Sequence, residues 1–462
     1  MSSTKPETSL YAENIVKNIA QFIVNTNADS ISESAITTAK RAMLDSLGVT
    51  LAGNETETGV KLHHFAGSFL GKGEVNVLGS DEKLSCADAA FITGSIMHVL
   101  DYDDTGAFSQ GHPSASVFPI IFSLSQVISV KGIDAIAAYS VGVEVLSRFS
   151  RAMPMMHLKG WHPTGVIGSF AATATASRLL HLTEKQVIHA FGIAASQASG
   201  IVQNFGTMSK PLQAGNAARI GIISALLAKE GFTASECALD GDIGFFNTYF
   251  GPNHHLNEWF KDFSSKLVIE CPGINIKRHA SCALTHRSID GVLQLQEMYG
   301  FDIENVESVQ CFVPPRAMKV LFYRDPTDGL QARFSMNYVI TAALMYKKVG
   351  PSEFEDKQLK KITNNSLLYQ VRMHVHPDWK EGDDARPDVL KIKLKNATEY
   401  ELSVKFPKGN VANPLSWEEL TNKFLGCVKN CLTKVQAEEC ILFIEDMQSQ
   451  NDFSKLSKIT MK

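Results

Sequence analysis

Ile31 to Gly53, ISESAITTAKRAMLDSLGVTLAG, decides the fold: Ile36, Ala39, Met43, Leu44 and Leu47 recur at the spacing of one helix face. From about residue 9 to 250 that period persists, and strand-like alternation is scarce. The segments IDAIAAYSVGVEVLSRFS (133–150), GVIGSFAATATASRLL (165–180), TEKQVIHAFGIAASQASG (183–200) and AGNAARIGIISALLAKEG (214–231) are rich in Ala, Gly and Ser. Small faces of this kind let helices approach closely around a buried centre, so the expectation is a large bundle. Thr183 reads as an N-cap and Gly231 as a C-cap glycine.

Around Cys271 the texture changes. VESVQCFVP (306–314), LLYQVRMHVHP (367–377) and VLKIKLKNATEYELSVKF (389–406) alternate apolar and polar residues, the last predicting a hairpin that turns near Asn396-Ala397-Thr398. After Lys408 the helical period returns, with Ser416 as N-cap and Glu418 and Glu419 in the first turn. The expected fold is mainly α. It has a large discontinuous all-helical domain, residues 1–270 and 408–462, and a smaller α+β domain, 271–407.

The 462 residues are 44% hydrophobic and 20% charged with a formal net charge of -4, which supplies no basic field for nucleic acid. The N-terminus MSSTKPETSLYAENIVKNIAQFIV lacks the basic flank and apolar core of a secretory signal, and no apolar run is long enough to span a bilayer. The expected location is cytoplasmic. Eight dispersed cysteines without a CxxC pair suggest neither a zinc site nor a disulfide framework. Cys427 and Cys431, four apart on a helical pattern, read as buried small apolar residues.

No GxGxxG between strand and helix, phosphate loop or HExxH helix occurs. What remains are four polar islands in apolar surroundings: LDYDDTGAFSQGHPSASVFP (100–119), KGWHPTGVIG (159–168), GTMSKPLQAGNAA (206–218) and IKRHASCALTH (276–286). Each alone has a plain structural explanation. His-Pro and Lys-Pro pairs sit at helix entrances, Asp101 can cap a helix, Thr105 can bond its own backbone, and Cys282 can be a packed thiol. Together they would form an electropositive pocket for carboxylates, with an aspartate as counter-charge and base. Asp103 and Asp104 read as solvated turn residues. His98, His157 and His279 flank the islands and stay open as proton donors.

The order and spacing of DYDDT…GHPSA, WHPTGVIG, SKPLQAGNAARIG, LDGDIGFF, KRxxxCxxxH and the late NPLSWEEL resemble the MmgE/PrpD family over nearly the whole chain. The resemblance implies a helical domain with an α+β lid, a homodimer, and a site free of cofactor and metal between the domains. By the same resemblance, His112, Asp101, Lys210, Lys277 and Cys282 are the catalytic positions, and Thr105, His162, His286 and Tyr323 the substrate-binding ones. Lys210, Lys277 and His162 would meet substrate carboxylates, His112 would move the proton, and Asp101 would orient His112.

The family's chemistry is proton movement beside a carboxylate in a small polycarboxylate, the one partner expected; neither nucleic acid nor membrane is. SQGHPSAS stands where dehydratases of the family carry WGHPSDN, which favours a lyase of the cis-aconitate decarboxylase kind, giving itaconate and CO2. Cys282 stands where vertebrate decarboxylases have histidine, which weakens a simple transfer of their mechanism. The 2-methylcitrate dehydratase and iminodisuccinate epimerase activities stay as alternatives. An inactive dimeric binding protein is a further one, against which both histidines and both lysines speak.

Overall fold

The computed structural model describes residues 15–107, 110–252, 256–263, 266–379 and 386–461; most of the polar N-terminal stretch lies outside them. The opening stretch folds as the helix Glu33–Asn54, capped by Ser32, whose side chain accepts from Ala35 N. Its expected face, Ile36, Ala39, Met43, Leu44 and Leu47, is buried. Against it pack the helices Cys86–Met97, Pro113–Leu124 and Gly132–Ala152, and Pro163–Leu179 and Ser209–Lys229 pack on these in turn. Every residue of Pro113–Leu124 is buried, so this helix runs through the middle of the body.

The small faces do what the composition predicts. A Cβ on Gly215 would stand 2.0 Å from Ser95 Oγ, and one on Gly221 would stand 2.4 Å from Ala172 Cβ, so helix Ser209–Lys229 touches two neighbours almost backbone to backbone. Aromatic rings fill the space between Gly132–Ala152 and Pro163–Leu179, Phe149 lying 4.5 Å from Phe170 and 5.4 Å from Phe246 between ring centres. Truncating such a residue to alanine costs about 3–5 kcal/mol. Thr183 and Gln186 form a capping box, and Gly231 follows the helix end at φ 87°.

One short hairpin, Lys72–Asn76 with Lys83–Leu84, interrupts the helical part where alternation was expected to be scarce. The later region holds a four-stranded mixed sheet in the order Val371–Val375, Val306–Val313, Asp388–Leu394, Glu399–Val404. Its first pair is parallel and the other two antiparallel. The last two strands form the expected hairpin, with Ala397 left-handed at φ 67° and Leu394 N bonded to Thr398 O. Helix His286–Tyr299 packs on this sheet and on helix Met336–Tyr346.

The chain then returns to the helical body. Ser416 and Glu419 form a capping box at the start of helix Trp417–Val428, which packs against Glu33–Asn54, as does Lys434–Glu445. Among the described residues no helix is long and apolar enough to cross a membrane. Cys427 is buried and Cys431 partly so.

Candidate active site

The His-Pro pairs place imidazoles at helix entrances. His112 and His162 are the N-cap residues of Pro113–Leu124 and Pro163–Leu179, where the following proline lacks an N–H that the helix could not use. Lys210 is the second residue of Ser209–Lys229, and His286 the first of His286–Tyr299. All four side chains line one cavity of about 620 Å³. Four helix N-termini thus present their partial positive ends to the same space, which favours an anion there.

Two segments far apart in sequence close the wall. Thr105–Gly106 pairs antiparallel with Ile274–Asn275, bringing the Asp101 loop beside Lys277. Asp101 accepts from Lys210 Nζ at 2.5 Å through Oδ1 and from Lys277 Nζ at 3.0 Å through Oδ2. Burial pushes the Asp101 carboxyl up, yet the two lysines and His112 more than offset this and hold it well below the usual range. Its backbone is left-handed at φ 47°, a conformation that costs a non-glycine residue about 1–2 kcal/mol.

Asp103 and Asp104 are not solvated turn residues; both are fully buried. Asp103 Oδ2 lies 2.8 Å from His98 Nδ1 and 3.1 Å from His112 Nδ1, the second contact off the ideal line of a hydrogen bond. Burial again raises this carboxyl, and the two imidazoles pull it well below normal. Asp104 accepts from Ser114 N and Oγ and from Tyr139 OH, and burial pushes it up to about 7. Turn composition suggested exposure because Asp and Gly favour turns; here the turn runs inside the protein, each carboxylate meeting donors.

These contacts change the expected roles. Asp103, rather than Asp101, stands at His112 Nδ1, while Asp101 Oδ1 is 3.8 Å from Nε2. His98 accepts from Lys210 Nζ at 2.8 Å through Nε2, and burial lowers it to about 4. His162 Nδ1 lies 2.7 Å from Gln213 Oε1, whose amide nitrogen donates to Ile201 O. That fixes the ring with Nδ1 as donor and leaves Nε2 as acceptor. Burial holds His162 and His286 well below normal and His112 below it, so the expected positive charge comes from the lysines and not from the histidines.

Thr105 and Cys282 also line the cavity, and burial pushes the Cys282 thiol up, away from the thiolate. Tyr323 does not line it: its ring lies against Gly206 and its hydroxyl donates to Phe205 O at 2.9 Å, one layer behind. Of the three flanking histidines, His157 lines the cavity, His98 sits in the hydrogen-bonded cluster, and His279 bonds Asp290 on the far side. Gln213 was unmarked in the sequence, although it follows Lys210 by one helical turn.

Among the described residues, His98, Asp101, Asp103 and His112 are the one group of metal-ligand types close together, with donor atoms within 4.8 Å of one another. They fit a cation poorly. Both Asp101 oxygens are bonded to ammonium groups, and Lys210 also occupies His98 Nε2. Two fixed positive charges in the cluster repel a third.

Fold and site together define a mainly helical protein with a lysine-lined pocket for a small anion. The chain belongs to the MmgE/PrpD family, whose N-terminal domain matches residues 17–256 and whose C-terminal domain matches residues 279–449. It is similar to the cis-aconitate decarboxylase of Mus musculus, 27% identical over 461 residues, covering 97% of this chain and 93% of that protein. The cis-aconitate decarboxylase of Aspergillus terreus is 25% identical, with 94% and 92% covered. The 2-methylcitrate dehydratase of Escherichia coli K12 is 21% identical over 423 residues, 86% of each chain.

Proposed function

We propose that the protein is a carbon-carbon lyase that converts cis-aconitate to itaconate and CO2 without a cofactor. The observation that carries this reading is the convergence of Lys210 and Lys277 on Asp101 in the wall of a cavity lined by four helix N-termini. Such a site neutralises carboxylates while keeping its own net charge small. Full-length similarity to proteins named cis-aconitate decarboxylase supports the choice of substrate.

In the reaction the bond between the methylene carbon and its carboxylate breaks. The released electron pair forms a new double bond between the methylene and the central carbon, and the pair of the old double bond moves to the former vinyl carbon, beside its carboxylate. One proton then adds to that carbon, so a trianion and a proton give a dianion and CO2. His112 takes a proton from solvent at Nε2, delivers it to that carbon and returns to the neutral ring, with Asp103 at Nδ1 opposing the transient charge of the imidazolium. Lys210 and Lys277 stabilise the developing negative charge. Thr105, His162 and His286 contact the substrate, and Cys282 is a neutral thiol donor.

The similarity to a protein named 2-methylcitrate dehydratase supports a second reading, water loss from a related polycarboxylate. Purified protein incubated in deuterated water with cis-aconitate, 2-methylcitrate and iminodisuccinate in turn separates the reactions by NMR. Deuterated itaconate is the expected product; no change with any of the three would end the lyase reading. We also propose the division into 1–270 with 408–462 and 271–407, cytoplasmic location, and a homodimer, which light scattering would show at twice the chain mass.

A further inference from the structure

Three consecutive backbone carbonyls, those of Leu100, Asp101 and Tyr102, each accept from a different buried cation. Arg333 Nη1 donates to Leu100 O at 2.7 Å, Lys277 Nζ to Asp101 O at 2.6 Å, and Lys423 Nζ to Tyr102 O at 2.9 Å. Arg333 follows the short helix Gly329–Ala332 of the α+β region, and Lys423 lies in helix Trp417–Val428 of the returning C-terminal part. Distant parts of the chain therefore meet on one tripeptide. Its middle residue is the left-handed Asp101, whose carboxylate joins Lys210 to Lys277.

Arg333 and Lys423 also grip the opposite segment. Arg333 Nη1 donates to Ala280 O at 2.5 Å and Lys423 Nζ to Lys277 O at 2.8 Å. Each cation thus staples the loop carrying Asp101 to the segment carrying Lys277. Neither lines the cavity that holds His112 and His162; both line a second cavity, of about 900 Å³, that also touches Leu100 and Tyr102. Lys423 is balanced by Asp45 Oδ1 at 2.5 Å and sits 3.7 Å from the centre of the Tyr102 ring. Arg333 lies over Phe354 at 4.3 Å.

We propose that Arg333 and Lys423 are positioning residues that hold Asp101 in its left-handed backbone from behind and so aim its carboxylate at Lys210 and Lys277. This rests on the assignment of Asp101 to the reactive site. A conformation unfavourable for a residue with a Cβ persists only where its surroundings over-determine it, and carbonyls fixed on both sides of Asp101 supply that. A charged donor serves better than a neutral one, because buried carbonyls bind a cation more strongly than an amide. The two residues act through the backbone and need no contact with substrate.

The test is a pair of double-mutant cycles. Lys423→Met and Arg333→Lys should each lower kcat on the order of tenfold to a hundredfold, the effect of misplacing a reacting group by about 1 Å. KM should change far less than kcat, and Lys423→Arg should recover most of the loss. In an Asp101→Asn background the same substitutions should change kcat by less than about twofold, since the carboxylate they aim is gone. Equal losses in both backgrounds would mean general support of the fold and would overturn the proposal. Arg333→Lys keeps a buried cation and carries the cycle where Lys423→Met does not fold. A crystal structure of Arg333→Lys needs no turnover and so judges the proposal apart from the proposed reaction. Asp101 leaving the left-handed region, or its carboxylate drawing away from Lys210, is expected; an unchanged Asp101 would overturn the proposal.

Discussion

Asp103 stands behind His112, its Oδ2 3.1 Å from the imidazole Nδ1. A carboxylate in that place favours the tautomer with its proton on Nδ1, leaving Nε2 on the side of Asp101 to take and give a proton. It also opposes the charge of the imidazolium, which burial disfavours.

Asp103→Asn should therefore lower kcat by about a hundredfold to ten-thousandfold, in line with removal of an orienting carboxylate elsewhere, while the circular dichroism spectrum stays unchanged. His112→Ala should abolish turnover with the fold intact. Near-normal activity in either variant would take the proton from another group.

The lysines should separate substrates by charge. Lys210→Ala and Lys277→Ala should raise KM for a tricarboxylate more than for a monocarboxylate analogue, because each leaves one carboxylate unmatched. Equal effects on the two compounds would show that the lysines serve only to hold Asp101.

Acid should destabilise the protein through its buried histidines. Burial lowers His98 to about 4 and His157 to about 3, from 6.5, and also lowers His112, His162, His279 and His286. Between pH 6.5 and 4 the unfolded chain thus binds more protons than the folded one at these sites, so their stability is present above 6.5 and lost as pH falls. Asp45 and Asp104, raised by burial to about 6 and about 7, and Asp240, also raised, act oppositely above 3.8. Six histidines outweigh three carboxylates. The melting temperature should fall from pH 6.5 to 4.5, and less steeply in His157→Asn; a flat or rising trend would contradict this balance.

Chelator should leave turnover unchanged, since Lys210 and Lys277 occupy the Asp101 oxygens that a cation would need. Activity lost to chelator and restored by a divalent ion would overturn that reasoning.

Cys282 should behave as a protonated thiol. Burial pushes it up, so iodoacetamide at pH 8 should inactivate slowly and Cys282→Ser should keep turnover within about tenfold. Rapid inactivation that substrate prevents would make it a thiolate in the working site.

Much of the fold was legible because burial repeats with the period of the element that carries it. Ile36 to Leu47 marked a helix face, residues 389–406 marked a hairpin, and Thr183 and Ser416 marked helix starts through capping chemistry. The hairpin at Lys72–Leu84 escaped because its second strand is two residues long, too short for alternation to register.

The site was legible as four islands, because His-Pro and Lys-Pro entrances put polar side chains where apolar helices begin. Their internal wiring was not. Nothing in DYDDT says that Asp101 faces two lysines, Asp103 two histidines and Asp104 a serine and a tyrosine. Adjacent side chains in an irregular loop point wherever tertiary packing sends them, and no period constrains them. Tyr323 was placed by resemblance alone and lies behind Phe205, outside the cavity lining.

By itself, then, the sequence determined the helical body, the presence of an α+β region and the residue types that would meet at a site, since these follow from local periodicity and capping. Only the tertiary structure decided which aspartate serves which partner and that Arg333 and Lys423 reach the back of Asp101. Those contacts join residues 233 and 321 positions apart in the chain, and pairings at such range arise from packing, which leaves no local pattern to read.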